Sequence, residues 1–315
     1  MAALNTQSLY SALTNPAREL SAQELARQFS FKAIEVRLKG LGALASSPGL
    51  LNKIRGAMGQ VMLDGASDAV RQQKPCDWSP CCASEVFFAP KPEVKIGFAQ
   101  QEPQLVKPFV LSADRHGRQD LLIRMSVFGM AQEWAPMASQ ALASALRDKV
   151  NWRLLSNGHF FVPSRTEIAS THIKDKQIVV DDTIPDECNL SFLTPVDTER
   201  TNIADHPDRL LQKLITRSAL MSRWYGARLC GDLNELFEQS QNLKLAFEGP
   251  VFVDHIRIDS SRTDQHGFHD VSSLELHISG DLEPIWPLLR IGEAIHVGRG
   301  AVKGYGRYHL QPSLS

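Results

Sequence analysis

The chain has 315 residues, of which 43% are hydrophobic and 22% charged, with a formal net charge of −1. That balance is ordinary for a folded globular chain and excludes a uniformly cationic molecule, so any nucleic-acid binding has to rest on local patches. No apolar run reaches the roughly 20 residues of a membrane-spanning helix, and the start Met1-Ala-Ala-Leu-Asn lacks a signal peptide's basic head and apolar core; a cytoplasmic protein without a membrane partner is expected.

The length favours two domains, because single cores stop growing near roughly 250 residues. In chain order, the segment to about Ala26 reads as short helices. Ile34, Val36 and Leu38 alternate with Glu35 and Arg37, the period of a half-buried strand. Ser47-Pro48 supplies an N-cap and a first-turn proline for an amphipathic helix through Leu50, Leu51, Ile54, Met58 and Met62. Apolar runs at Glu85–Phe88, Val94–Phe98, Phe109–Leu111 and Leu121–Phe128 read as strands, the last two joined by a turn at Arg115-His-Gly-Arg118. Ala131–Val150 is helical in period and Trp152–Val162 is strand-like.

The second half repeats the order. Thr166–Val180 and Asn189–Leu193 are strand-like, and a long helical region runs from Leu210 to about Leu236. Val251–Ile258 and Val271–Ile278 alternate around a polar hairpin, Leu282–Ile295 is helical, and Val302–Leu310 is a last strand. Two consecutive βαββαβ units imply an α+β protein of two tandem ferredoxin-like, RRM-like domains, 1–164 and 165–315. A glycine-rich loop falls before the last strand of the second.

Gly292, Gly298, Gly300, Gly304 and Gly306 punctuate that C-terminal stretch, with Arg299, Lys303 and Arg307 between them. Glycine lets a backbone approach a ligand closely, and interleaved cations suit a phosphate backbone. The same pattern also fits a hairpin whose glycines serve only its turns. Arg290–Leu310 carries a local +3, and Phe31–Arg55, with Lys32, Arg37, Lys39, Lys53 and Arg55 against Glu35, a local +4. Clustered charge is usually a solvated face, so the two patches matter only if folding joins them.

Five cysteines, three of them in Cys76-Asp-Trp-Ser-Pro-Cys81-Cys82, form neither a disulfide framework nor the two spaced pairs of a zinc site. The histidines show no i, i+4 metal spacing. No metal or cofactor is expected.

Three stretches resemble a known family: Ile54-Arg-Gly-Ala-Met-Gly59, Pro75-Cys-Asp-Trp-Ser-Pro80, and Ile285–Gly300 with Lys303-Gly-Tyr-Gly-Arg-Tyr308. With the element order, they make the chain similar to the Cas6 type of CRISPR repeat-cleaving endoribonuclease within the RAMP superfamily. The resemblance implies a nuclease that excises guide RNAs from a precursor transcript, without a metal. A ribose 2′-hydroxyl attacks the adjacent phosphate and leaves a 2′,3′-cyclic phosphate. Its partners would be CRISPR repeat RNA, as precursor and guide, and effector-complex subunits.

The family often takes its base from a histidine near the first long helix, but here the first histidine is His116. The matching positions are Lys32, Lys53 and Arg55, which with His296 are the candidate catalytic residues. Lysine near its reference pKa of roughly 10.4 is a poor base unless burial or neighbouring cations lower it. Candidate RNA contacts are Arg37, Lys39, Gly298, Arg299, Gly300, Lys303, Gly304, Tyr305, Gly306 and Arg307. Arg217, Arg223 and Arg228 decorate the long helical region, either as stem contacts or as a solvated face. His296 equally suits a cation at a helix C-terminus. The missing early histidine leaves a second reading open, a non-catalytic RAMP subunit that holds guide RNA. A third is an RNA-binding module of the same fold unrelated to CRISPR.

Overall fold

A computed structural model describes residues 4–47, 49–94, 103–153, 166–181, 183–197, 203, 205–231, 233–260 and 265–313, with the backbone alone over 253–260 and 265–272. Helices and antiparallel sheets alternate. In the first half, β1 (Ser30–Leu38) leads to α1 (Leu50–Asp64), then to the hairpin β2 (Phe109–His116) and β3 (Asp120–Phe128). Next come α2 (Ala135–Ser144) and β4 (Ile168–Gln177). The sheet runs β2-β3-β1-β4, antiparallel throughout. Ile34, Val36 and Leu38 are buried with Leu121, Ile123, Met125 and Val127, and Ile54, Met58 and Met62 of α1 close over them. Glu35 and Arg37 point to the other face, as period-two alternation requires.

The second half uses the same plan. β5 (Glu187–Phe192) precedes α3 (Asp208–Ser222), β6 (Lys244–Phe247), β7 (Glu275–Ser279), α4 (Trp286–Ile295) and β8 (Tyr308–Ser313). The sheet runs β8-β5-β7-β6, which in order of appearance is fourth-first-third-second, the order of the first sheet read from its other edge. A hairpin, Phe252–Ser260 with Gln265–Ser273, is inserted between β6 and β7 and pairs with Val196–Asp197. One hydrophobic cluster runs through both halves. The N-terminal segment joins them further: Arg18–Leu20 pairs in parallel with Ala227–Leu229, and Arg223 donates to Leu13 O and Thr14 O at the end of helix Thr6–Thr14.

Several local expectations change. Ile168–Gln177 alternates as expected but pairs with β1, so it completes the first sheet instead of opening the second. The helix α1 is entered through Gly49 at φ 74°, with no side-chain cap from Ser47. The apolar run at Glu85–Phe88 folds as a helix, Ala83–Phe87. The long helical region stops at Gly226 (φ 68°), and a strand, Ala227–Leu229, precedes a separate helix at Leu233–Gln241. Val302–Leu310 opens with a short 3-10 turn, Ala301–Lys303, so the strand starts only at Tyr308. Most of Trp152–Val162 and of Val94–Phe98 lies outside the described residues. Among the described residues, no helix is long and apolar enough to cross a membrane.

Candidate nucleic-acid interface

The glycine-rich stretch folds back on itself and docks on the first sheet. Gly306 N donates to Pro195 O at 2.8 Å, Val297 N to Gly306 O at 2.9 Å, Arg299 N to Asp197 O at 3.0 Å and Arg307 N to Thr194 Oγ1 at 2.9 Å. The glycines serve that compactness. A Cβ on Gly306 (φ 67°) would lie 1.8 Å from Val297 O, and one on Gly304 (φ 87°) 2.1 Å from Leu51 Cδ1 of α1. Gly298 lies against Asp197 O and Gly300 against the Tyr305 ring, while Gly292 sits inside α4 against Tyr308 and Leu214. Tyr305 is 9% exposed, so its ring fills the loop from within and offers no stacking face. The glycines expected to bare N–H groups to a phosphate are thus accounted for by close protein packing, and the loop presents side chains instead.

Those side chains meet α1 across a cleft of about 900 Å³. Its walls are the loop, the segment around Lys107, the solvent side of α3, and Arg55 of α1. Arg55, Lys107, Arg209, Lys213, Arg299 and Lys303 line it with Arg217, and among the described residues no lining residue is a carboxylate. Folding therefore joins the two basic stretches, through Arg55 from one and Arg299 and Lys303 from the other.

Phe88 organises the α1 side. The Arg55 guanidinium lies 5.4 Å from its ring centroid and Lys107 Nζ 5.6 Å, and Lys107 also donates to Phe88 O at 3.0 Å. Gly59 makes room for that ring, since a Cβ there would lie 2.9 Å from it. This gives Ile54-Arg-Gly-Ala-Met-Gly59 a concrete role. Arg55 Nε is buried without a partner, and burial lowers the guanidinium's pKa. Burial also pushes the Lys303 ammonium below the ordinary lysine range, and the Arg55 and Arg299 cations push it further, with Asp197 pulling the other way. The effect anticipated for a buried lysine among cations falls on Lys303.

The other candidates lie elsewhere. Lys53 is exposed and, two residues before Arg55, projects about 160° away from it around α1. Lys32 pairs with Asp175 at 2.8 Å, Lys39 with Glu167, and Arg37 with Asp120 at 3.5 Å. Arg307 donates to Asp114 of β2 at 2.8 Å, which clamps the loop to the first sheet. Asp114 also pairs with Arg124, which in turn pairs with Glu35 at 3.1 Å. Arg290 is held by Asp181 and Glu293.

His296 is 3% exposed and takes φ 62°, ψ 168° at the end of α4, a backbone region strained for any side chain but glycine's. Its Nδ1 makes no well-aligned hydrogen bond among the described residues, although the Ala301 and Tyr305 backbone lies against the ring. Burial first, then the Arg217 and Arg307 cations, pushes its pKa down to about 3, so the imidazole is neutral at physiological pH. The cation at the α4 C-terminus is Arg217, whose Nε donates to Ile295 O at 2.9 Å. Arg228 pairs with Glu19, and Arg223 is buried as described.

Sequence reasoning missed Lys107, His206, Arg209 and Lys213. A signal existed: Arg209, Lys213 and Arg217 recur every four residues, which puts them in one row on a helix. The five cysteines are free; Cys76, Cys81 and Cys82 are buried, and burial pushes Cys81 up to about 12.

The family model for CRISPR-associated endoribonuclease Cas6 matches residues 190–308, which include the loop and α3. Among solved structures, a Cas6 product complex aligns with TM-score 0.54 at 15% identity, covering 90% of this chain and 99% of that one. Thermus thermophilus Cas6 aligns with TM-score 0.47 at 12% identity, over 90% and 99%. No curated protein matches. The family model thus matches the part of the chain that carries the loop and α3, and a solved Cas6 shares the fold over nine-tenths of this chain.

Proposed function

We propose that this protein cleaves precursor CRISPR RNA within its repeats, by metal-independent attack of a 2′-hydroxyl on the neighbouring phosphate. The observation that carries the reading is the cleft in which Arg55 of α1 meets Arg299 and Lys303 of the loop. A phosphodiester passing into a phosphorane gains negative charge, and fixed cations in a partly desolvated cleft stabilise that gain. Arg55 and Arg299 hold the non-bridging oxygens. Lys303, its ammonium made more acidic by burial and two neighbouring cations, protonates the 5′-oxygen that leaves. Arg307, Gly298, Gly300, Gly304, Tyr305 and Gly306 shape the loop, and His296 serves as its buried neutral base plate. Lys32, Arg37, Lys39 and Lys53 take no step in the cleft; they are solvent-side residues available to flanking RNA.

The architecture fits two tandem ferredoxin-like units, divided after Gln177 because β4 belongs to the first sheet. Partners follow from the same reading: repeat RNA before and after cleavage, and subunits of an effector complex that receives the guide.

A second reading, a non-catalytic subunit that holds guide RNA, is favoured by one observation: His296, the candidate histidine of the loop, is buried and neutral. Incubating the protein with repeat RNA from its source genome in EDTA separates the two. A 2′,3′-cyclic phosphate end, absent when the attacking ribose is 2′-deoxy, supports the enzyme. Stable binding of intact RNA supports the holder.

A further inference from the structure

The cleft holds cations on every wall, yet the proposed reaction must also remove a proton from the attacking 2′-hydroxyl. A lysine or arginine that stays charged cannot accept it. Among the described lining residues, one carries an imidazole, whose ring nitrogen can accept a proton, and it comes from the second half of the chain: His206.

His206 is exposed, and it stands where α3 begins. Its backbone is fixed on both sides. His206 N donates to Ile203 O at 3.2 Å, Arg209 N donates to His206 O at 3.1 Å, and Pro207 follows it. One turn on is Arg209, and another turn on is Lys213, so the three residues line one wall of the cleft. Across from that wall are Arg55 of α1, Lys107, and Arg299 and Lys303 of the loop; Asp205 is its neighbour in sequence. A strand of RNA held between Arg209 and Lys213 on one side and Arg55, Arg299 and Lys303 on the other passes His206 on the cleft wall.

We propose that His206 is the general base of this site, with Arg209 and Lys213 holding the RNA backbone against it. The inference rests on the cleavage reading above. The 2′-oxygen gives its proton to the imidazole as the 2′-O–P bond forms. The P–O5′ bond breaks, and the departing 5′-oxygen takes a proton from the Lys303 ammonium. One proton is accepted and one donated, no water or metal enters the balance, and the products are a cyclic phosphate and a 5′-hydroxyl. Among the described residues that line the cleft, the histidine comes from the turn before α3, and none comes from the first half.

The test is single-turnover cleavage of repeat RNA from pH 5 to 9, with the dissociation constant measured in parallel on the 2′-deoxy RNA. The wild type is expected to lose rate on the acid side, as a general base becomes protonated. His206→Ala is expected to cut about 100-fold more slowly at pH 7.5, to lose that acid limb, to bind RNA as the wild type does, and to regain rate with added imidazole. Arg209→Ala with Lys213→Ala is expected to weaken binding about tenfold while keeping the acid limb. An unchanged rate and pH profile in His206→Ala overturns the base assignment alone. Loss of binding in step with rate overturns it too, in favour of a positioning role. A wild type that binds the RNA and never cuts it overturns the cleavage reading and this inference together.

Discussion

The two basic stretches look alike as strings of letters and behave differently once folded. Along Phe31–Arg55, Lys32, Arg37 and Lys39 each face a carboxylate, Asp175, Asp120 and Glu167, that is distant in sequence and adjacent across a sheet. Arg55 reaches the cleft. Along Arg290–Leu310, Arg290 and Arg307 are committed to Asp181 and Asp114, while Arg299 and Lys303 line the cleft on a backbone that only glycines allow. A local charge sum counts the cations and omits the partners and the shared space that folding brings.

The comparison breaks first if the loop is not the rigid element described. Gly306→Ala puts a Cβ 1.8 Å from Val297 O at φ 67°. We expect a loss of about 3 kcal/mol or more in a denaturant titration; an unchanged midpoint would mean the loop's closed form contributes nothing to stability. Next, Lys303→Ala should slow single-turnover cleavage about 100-fold, or about 2.7 kcal/mol, with less than a tenfold change in affinity. A loss confined to affinity would make Lys303 a backbone contact only.

His296 sharpens the picture through pH. Its folded pKa is lowered to about 3 from an ordinary 6.5, so below pH 6.5 the unfolded chain binds a proton the folded chain refuses. Stability from this group is complete above pH 6.5 and is lost as pH falls towards 3, by about 2 kcal/mol at pH 5. His296→Asn, which does not titrate, should flatten that part of the Tm profile, and an equally steep fall in the variant would assign it to other groups. The smallest effect is expected at Lys32→Ala and Lys39→Ala. Both cations are in exposed pairs worth at most about 1 kcal/mol, and each variant should change RNA affinity by less than about threefold. A tenfold loss would return the first stretch to the interface.

Periodicity identified β1, α1, the β2–β3 hairpin and α4 because their apolar residues recur on one face. It could not identify partners. Ile168–Gln177 has the alternation of any strand, and nothing within ten residues says that it lies beside β1 and not in the second sheet. Glu85–Phe88 was too short to separate strand from helix, and only its docking beneath α1 decides it. The site shows the same division. Lys53 and Arg55 are two letters apart, but helical geometry sends one to solvent and the other to the cleft. His206, Arg209 and Lys213 carried a readable helical spacing, yet nothing in their local sequence says that the row faces the loop.

The sequence alone determined the alternating plan of helices and strands, the glycines that free the C-terminal stretch to turn, and the supply of cations near the C-terminus. These follow from properties of a residue and its near neighbours: side-chain period, glycine's missing Cβ, and charge. The tertiary structure decided which cations are neutralised, that His296 is buried and neutral, and that Arg55, Lys303 and the α3 row share one cleft. Those outcomes depend on distances between segments far apart in sequence, and the balance of burial against Coulomb energy is set only when those distances exist.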